Sequence, residues 1–355
     1  VNVAYALAPV TPSTAGGAEQ ILAALDRGLI AAGHRSVVVA NPRIDGPLTD
    51  DVQRAARARI REALRATDAD IVHYHGLDFA EVMREGRNVV TVHLPPQWYP
   101  REALVRDGVT YVCVSQSQRA RFPGDAIVIE NGVDLDKFLP TANRQRSPVA
   151  MGRICEEKNL HAAIDAAKLA DVDLVIAGEV YGYEDHQRYF RDVFSPRLDA
   201  RRRFIGPTAR RAELLGGARC VLIPSLVEET SSLVAMEALA CGTPVIAYAR
   251  GALPEIVDHG VTGFLVRGVE EMAEAIARVG DIDRAGCRRA AEERFDGRVM
   301  LHRYLDLYAK LAACGSFSSS SPKRIPSRRP EISPSSRSAS SATSITSARP
   351  TSPRT

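Results

Sequence analysis

Short apolar runs alternate with stretches of helical spacing from the first residues to about position 313. VNVAYALA (1–8) reads as a strand. Residues 17–32 carry Ile21, Leu22, Leu25 and Leu29 at helical spacing, with Gly33 where a C-terminal cap glycine belongs. SVVVA (36–40), ADIVHYH (69–75), NVVTVH (88–93), TYVCV (110–114) and AIVIE (126–130) follow as strands. Several are apolar at consecutive positions, as strands covered on both faces must be, which predicts a parallel doubly wound sheet. The polar, proline-bounded segment LPTANRQRSP (139–148) breaks the pattern, and then it restarts. PVAMG (148–152), DLVIAG (173–178), CVLIPS (220–225), PVIAY (244–248) and GFLV (263–266) predict strands; 159–170, 185–198, 208–218, 231–241 and 269–279 predict helices.

The expected architecture is α/β: two Rossmann-like doubly wound domains facing across a cleft, at 1–140 and 149–295, joined by a linker at 141–148. Ligands of such sheets sit beyond the carboxyl ends of the strands, so both domains should turn that edge to the cleft. A helix over 296–313, with Val299, Tyr304, Leu307, Tyr308 and Leu311 on one stripe, is expected to close the fold and pack back on the first domain. Residues 314–355 are rich in Ser, Pro, Arg and Thr with almost nothing to bury, a composition that predicts disorder.

Charge changes the picture only once that tail is set aside. The whole chain carries a net +3, but residues 316–355 hold seven Lys/Arg against one Glu, and the remainder has 39 basic and 42 acidic residues. A mildly acidic globular part lacks the basic footprint of a nucleic-acid binder. Arg54, Arg57, Arg59, Arg61 and Arg65 lie on one predicted helix whose apolar positions are mostly alanine. A solvated helix is the expectation there, with a weak membrane-surface contact left open. No apolar run reaches the roughly eighteen residues of a membrane span, and the first residues already read as a core strand, so the expected location is cytoplasmic, including the inner face of the membrane. The six cysteines show no CxxC pairing and fall in apolar elements, which fits reduced buried thiols rather than a disulfide framework or a zinc site.

The strongest chemical signal is Glu229–Glu237, two carboxylates flanking the entry to a helix that follows CVLIPS. Thr230 or Ser231 can cap that helix, leaving amide groups and the positive dipole end for a diphosphate. Glu237 falls about two turns, ~12 Å, further along. By itself this spacing fits a surface carboxylate and a capping carboxylate equally well. The longer context, PSLVEETSSLVAMEALACGTP (224–244) and GALPEIVDHGVTGFLV (251–266), resembles the donor-binding signature of the family 4 retaining glycosyltransferases of the GT-B fold. AGGAEQILAAL (15–25), ENGVDLDKF (130–138) and MGRICEEKNL (151–160) extend the likeness along nearly the whole chain.

That resemblance implies a nucleotide-sugar donor, UDP- or GDP-linked, and transfer of its sugar with retention to a glycan, lipid or small-molecule acceptor. It places Glu229 on the sugar hydroxyls and Glu237 on the ribose. Arg153 and Lys158 fall on the diphosphate with the backbone and hydroxyls of Thr230, Ser231, Ser232 and Leu233, and Gly16 and Gly17 allow backbone approach from the first domain. His93 matches the family's histidine near the anomeric carbon, in a contacting and orienting role. A leaving diphosphate needs fixed positive charge. No Asp-x-Asp cluster stands at a strand end, since Asp134 and Asp136 lie in the interdomain turn, so no metal and no cofactor is expected. His73 and His75 share a strand face, but without an evident third ligand they read as a polar network. The first turn is too long and proline-interrupted for a dinucleotide fingerprint, which argues against a dehydrogenase. Ser232 stands where many relatives have glycine, which puts the sugar's identity in doubt. Two rivals are a nucleotide-sugar epimerase of related architecture and a nucleotide-sugar-binding subunit without turnover.

Overall fold

The computed structural model describes residues 1–7, 10, 16–42, 49–142 and 147–313. The segment 314–355, with Cys314, lies outside them, as does half of the predicted linker, residues 143–146. Two six-stranded sheets form, and every strand pair in both is parallel. The first contains β1 (Asn2–Val3), β2 (Val38–Val39), β3 (Val72–Tyr74), β4 (Asn88–Val92), β5 (Val109–Cys113) and β6 (Ile127–Val128), in the order β2-β1-β3-β4-β5-β6. The second contains β7 (Val149–Met151), β8 (Leu174–Ala177), β9 (Arg202–Phe204), β10 (Val221–Ile223), β11 (Val245–Tyr248) and β12 (Gly263–Val266), in the order β12-β11-β10-β7-β8-β9. Both orders reverse direction once, between β1 and β3 in the first sheet and between β7 and β10 in the second, and such switch points open a crevice beyond the strand ends.

The first half adds α1 (Gly17–Ala31), α2 (Asp50–Arg65), α3 (Phe79–Val82) and α4 (Gln116–Ala120). The second adds α5 (Leu160–Leu169), α6 (Glu184–Tyr189), α7 (Arg211–Gly217), α8 (Leu233–Ala240), α9 (Leu253–Ile256), α10 (Val269–Arg278) and α11 (Arg284–Arg294). Helix α1 ends where the sequence places its stop. Gly33 takes φ +85°, its N–H bonds the Ile30 carbonyl, and the His34 N–H reaches back to Leu29, a Schellman closure. The helix predicted over 185–198 is instead α6 followed by a π turn at Phe190–Phe194 and a 3₁₀ turn at Ser195–Arg197, the last containing Pro196. Strand β9 and helix α11 carry no apolar periodicity strong enough to predict them; β9 reads Arg-Arg-Phe and α11 is rich in arginine.

Helix α2 differs from the expected solvated helix. Thr49 caps it by accepting the Val52 N–H, and Ala56, Ile60 and Leu64 are buried against the first sheet. Arg57 turns inward to Asp78 at 3.2 Å and Glu81 at 2.9 Å, so part of its basic stripe is spent on internal ion pairs. Among the described residues no helix is long and apolar enough to cross a membrane.

The last helix, α12 (Gly297–Ala313), leaves the second half and packs on the first. The chain crosses at an isolated bridge, where Val133 N–H donates to the Phe295 carbonyl at 2.8 Å and Gly297 N–H returns to Val133 at 2.9 Å. Met300 and Tyr304 then join Ile21, Leu25, Val89, Val112 and Ile129 in one apolar cluster. The Tyr304 hydroxyl, fully buried, pairs with Thr91 Oγ1 at 2.8 Å. Tyr304→Phe should therefore cost about 1 kcal/mol, the net worth of one such bond, and Tyr304→Ala about 3–5 kcal/mol through the cavity it opens. Urea denaturation of both variants checks this; equal small losses would mean the helix is not integral to the first domain's core.

Candidate functional site

In the second half, the residues following β7 and β10 converge at the switch point. Glu156–Lys158 form a 3₁₀ turn that stops at Asn159, which adopts the left-handed region at φ +54° and donates its side-chain amide to the Pro224 carbonyl at 3.0 Å. The Glu157 carbonyl accepts the Leu226 N–H at 2.9 Å and the Ser225 hydroxyl at 3.3 Å. These bonds lash the β7 loop to the β10 loop. Lys158 Nζ consequently lies 2.5 Å from Glu229 Oε1, with the two side chains 23% and 10% exposed. Glu229 is fixed from its other side by the turn before α9. A side chain on Gly251, which has φ +56°, would collide with the Glu229 backbone at 2.2 Å, and Ala252 N–H donates to the Glu229 carbonyl at 2.7 Å. Arg153 stands nearby, 3.4 Å from the Glu157 carboxylate and 6.0 Å from the Tyr181 ring.

Helix α8 begins at Leu233, two residues later than expected, and its cap is neither Thr230 nor Ser231. Ser232 caps it, accepting the Ala235 N–H at 3.4 Å. Thr230 instead donates its hydroxyl to the His93 carbonyl at 2.7 Å, linking the β10 loop to the end of β4 in the other half. The physical reason is that Thr230, with only 9% exposure, must pair its hydroxyl within the protein, and the His93 carbonyl is the acceptor within reach. The Ser231 hydroxyl is buried with no partner. Leu233 packs against the apolar clusters of both halves, and a Cβ on Gly17 would meet it at 3.7 Å. The glycine turn is thus brought to the start of α8. Gly16 precedes α1, with the Glu19 carboxylate filling the space a side chain there would need; burial raises the Glu19 pKa against the pull of Arg153.

Glu237 lies deeper, 2% exposed, and forms an ion pair with Arg211 of α7. Burial raises its pKa while Arg211 and, further off, Lys137 oppose the rise. Sequence reading missed Arg211, because nothing in RRAELLGG distinguishes it from a surface arginine. Tyr181 and Glu19 were missed for the same reason.

The first half contributes three imidazoles in a row. His73 is bonded at both ring nitrogens, to the Tyr308 hydroxyl at 2.6 Å and to Thr91 Oγ1 at 2.7 Å. His75 lies against it at 4.0 Å between ring centroids and meets His93 through an Nδ1···Nε2 contact of 3.0 Å. The expected polar network is present, and it terminates at His93. Burial holds His73 and His75 well below the ordinary histidine range and brings His93 down to about 4. All three are neutral near pH 7, so His93 offers hydrogen bonds rather than charge. Two further ties join the halves: Arg121 to Glu228 at 2.7 Å, and Glu255 accepting the N–H groups of Gln116 and Ser117 at 2.8 and 2.6 Å. A shallow crevice lined by Pro95, Ser117, Arg121, Glu228, Glu229 and Thr230 runs between them.

With this geometry in view, comparison with known proteins is informative. Residues 145–281 match the family model described as glycosyl transferases group 1. The D-inositol 3-phosphate glycosyltransferase of Mycolicibacterium paratuberculosis is 37% identical over 177 residues, 44% of this chain and 39% of that protein. Its counterpart in Mycobacterium bovis is 36% identical over 172 residues, covering 43% and 36%. The matched region therefore spans about two fifths of these relatives. The sucrose-phosphate synthase of Thermosynechococcus elongatus superposes with a TM-score of 0.72 at 22% identity, covering 88% of this chain and all of that one. The Anabaena protein Alr3699/HepE, solved with UDP-glucose, gives 0.69 at 19% identity, covering 87% and 99%. Both halves of the present fold are thus those of GT-B glycosyltransferases. The five described cysteines are buried and free.

The histidine row gives a pH dependence with a defined sign. An imidazole kept neutral in the fold but protonated when unfolded makes the unfolded state bind more protons, so stability is complete above about 6.5 and falls as pH drops toward 4. Urea midpoints measured from pH 7 to 4 should decline, and His93→Gln should flatten the slope. An unchanged slope would mean His93 titrates normally.

Proposed function

We propose that this chain transfers a glycosyl group from a UDP- or GDP-sugar to a glycan, lipid or small-molecule acceptor, with retention at the anomeric carbon and without a metal. The observation that carries the reading is the contact between Lys158 and Glu229 at the switch point, with His93 drawn to the same crevice by Thr230. A diphosphate entering there finds Arg153, Lys158 and the first-turn amides of α8, three sources of fixed positive charge. As Lys158 turns to the phosphate, Glu229 is released to accept a sugar hydroxyl. Donor binding thus exchanges one ion pair for two interactions with the ligand.

In the reaction the bond between the anomeric carbon and the diphosphate oxygen breaks, the acceptor oxygen bonds to that carbon from the same face, and its proton passes to the departing diphosphate. Neutral His93 holds a sugar hydroxyl without competing for the proton. Glu237, beside Arg211, accepts from the ribose. The relatives' glycosyltransferase names and the UDP-glucose complex of the Anabaena protein support this assignment. Nucleoside diphosphate release from a donor panel, with and without acceptors, separates transfer from epimerisation and from binding alone.

Two outcomes test the division of labour. Glu237→Gln should weaken free nucleoside diphosphate by roughly 1.5–3 kcal/mol in calorimetric titration, the worth of a charge-assisted bond, in protein shown by thermal melting to remain folded. Glu229→Gln should leave that affinity nearly intact and depress turnover; equal losses of affinity in both variants would refute the assignment. Separately, turnover should persist in excess chelator, while Arg153→Ala or Lys158→Ala lowers kcat on the order of 10²-fold or more. Strict dependence on added Mn²⁺ or Mg²⁺ would transfer the role of these cations to a metal.

A further inference from the structure

Beside the diphosphate clamp lies a group of side chains that glycosyl transfer does not use. Cys155, in the loop after β7, Glu157 in the following turn and His186 on α6 each offer a ligand atom, all within 4.8 Å of one another. Cys155 is fully buried, and its thiol donates to the Arg153 carbonyl at 3.7 Å. His186 Nδ1 is buried with no hydrogen-bond partner, although its ring packs beside Tyr181 and Tyr183. A buried imidazole nitrogen without a partner carries a free-energy cost that a ligand would remove.

We propose that Cys155, Glu157 and His186 bind one thiophilic divalent cation, Zn²⁺ being the best match. One sulfur, one nitrogen and one carboxylate oxygen form the borderline-soft donor set zinc prefers, and three protein ligands leave a fourth position for water. Zinc–ligand distances of about 2.0–2.3 Å put tetrahedral ligand atoms roughly 3.5 Å apart, so the trio closes by about 1 Å on binding. Two of the three side chains have room for such a shift: that of Glu157 is 31% exposed, and His186 is on a short, half-exposed helix. The thiol loses its proton to solvent as the Zn–S bond forms. Glu157 is also the partner of Arg153. A bound cation therefore withdraws that carboxylate from the guanidinium.

The site stands apart from the glycosyl-transfer reading, and its test does not use turnover. Metal-stripped full-length protein is titrated with Co²⁺ and then Zn²⁺. One equivalent of Co²⁺ should give thiolate-to-cobalt charge-transfer absorption in the near ultraviolet and tetrahedral bands in the visible, both discharged by Zn²⁺. Cys155→Ser should abolish the charge-transfer band, and His186→Ala should weaken binding roughly tenfold or more. Near-ultraviolet circular dichroism of each variant establishes that the fold is retained, and partly exposed His186 makes its variant safe where Cys155→Ser is not. Absence of the band in the parent chain, or its persistence at one equivalent in Cys155→Ser, would overturn the proposal.

Discussion

His73, buried in the middle of a parallel sheet, finds only one of its two ring partners within that sheet, and much of this molecule follows from how the other is supplied. His73 sits on β3, whose backbone groups are already committed to β1 and β4. Its ring nitrogens are satisfied by Thr91 and by Tyr308, a residue 235 positions later in the chain. Thr91 in turn holds Tyr304. A buried polar atom left unpaired costs about 1–3 kcal/mol, so the return of α12 onto the first domain is required by the polar column as well as by the apolar stripe of Met300 and Tyr304. The crossing segment 295–297 pairs with 132–133 at the same junction, which leaves the two halves little freedom where the chain passes between them.

From that anchorage the geometry of the crevice follows in steps. The column fixes His73, His73 stacks on His75, and His75 contacts His93 at the end of β4. The carbonyl of His93 takes the Thr230 hydroxyl, so the loop bearing Glu229 is referenced to the first domain as well as to its own. Within the second half, Asn159 and the Glu157 carbonyl lash the Lys158 turn to the same loop. The result ties the strand end bearing an uncharged imidazole to the loop bearing one member of a close ion pair. Those are different resources: the ion pair can be exchanged against a charged ligand, whereas the histidine can only donate or accept.

How much of this is legible in the chain depends on the range of the contact. The two-domain α/β architecture follows from alternating apolar runs, and the Schellman closure at Gly33 from a glycine after a helical stripe. Strand β9 was invisible because its stability comes from pairing with β8 and from Arg202 bonding Asp199 and the Ala167 carbonyl, none of which leaves an apolar pattern. The capping residue of α8 was misassigned among three adjacent hydroxyl residues, since local propensity treats Thr230, Ser231 and Ser232 alike and only the His93 carbonyl, 137 residues away, tells them apart. Arg211 was hidden for the same reason: its partner Glu237 lies on the next helix of the fold, 26 residues on. Cys155, Glu157 and His186 form no ligand-spacing motif because α6 is brought to the β7 loop by tertiary packing.

The serine at position 232 acquires a physical meaning that sequence alone did not give it. A glycine at a helix start permits close approach of a ligand to the backbone, at some cost in conformational entropy. Ser232 instead fills the capping position and takes the Ala235 N–H itself, so one of the four amides with no intrahelical partner is used internally. Leu233, next in the chain, packs against the apolar clusters of both domains and so ties that turn to each of them. On the proposed reading, specificity for the sugar would rest less on backbone approach than on side chains converging from two domains. Glu229 and Lys158 come from the second, and His93 from the first.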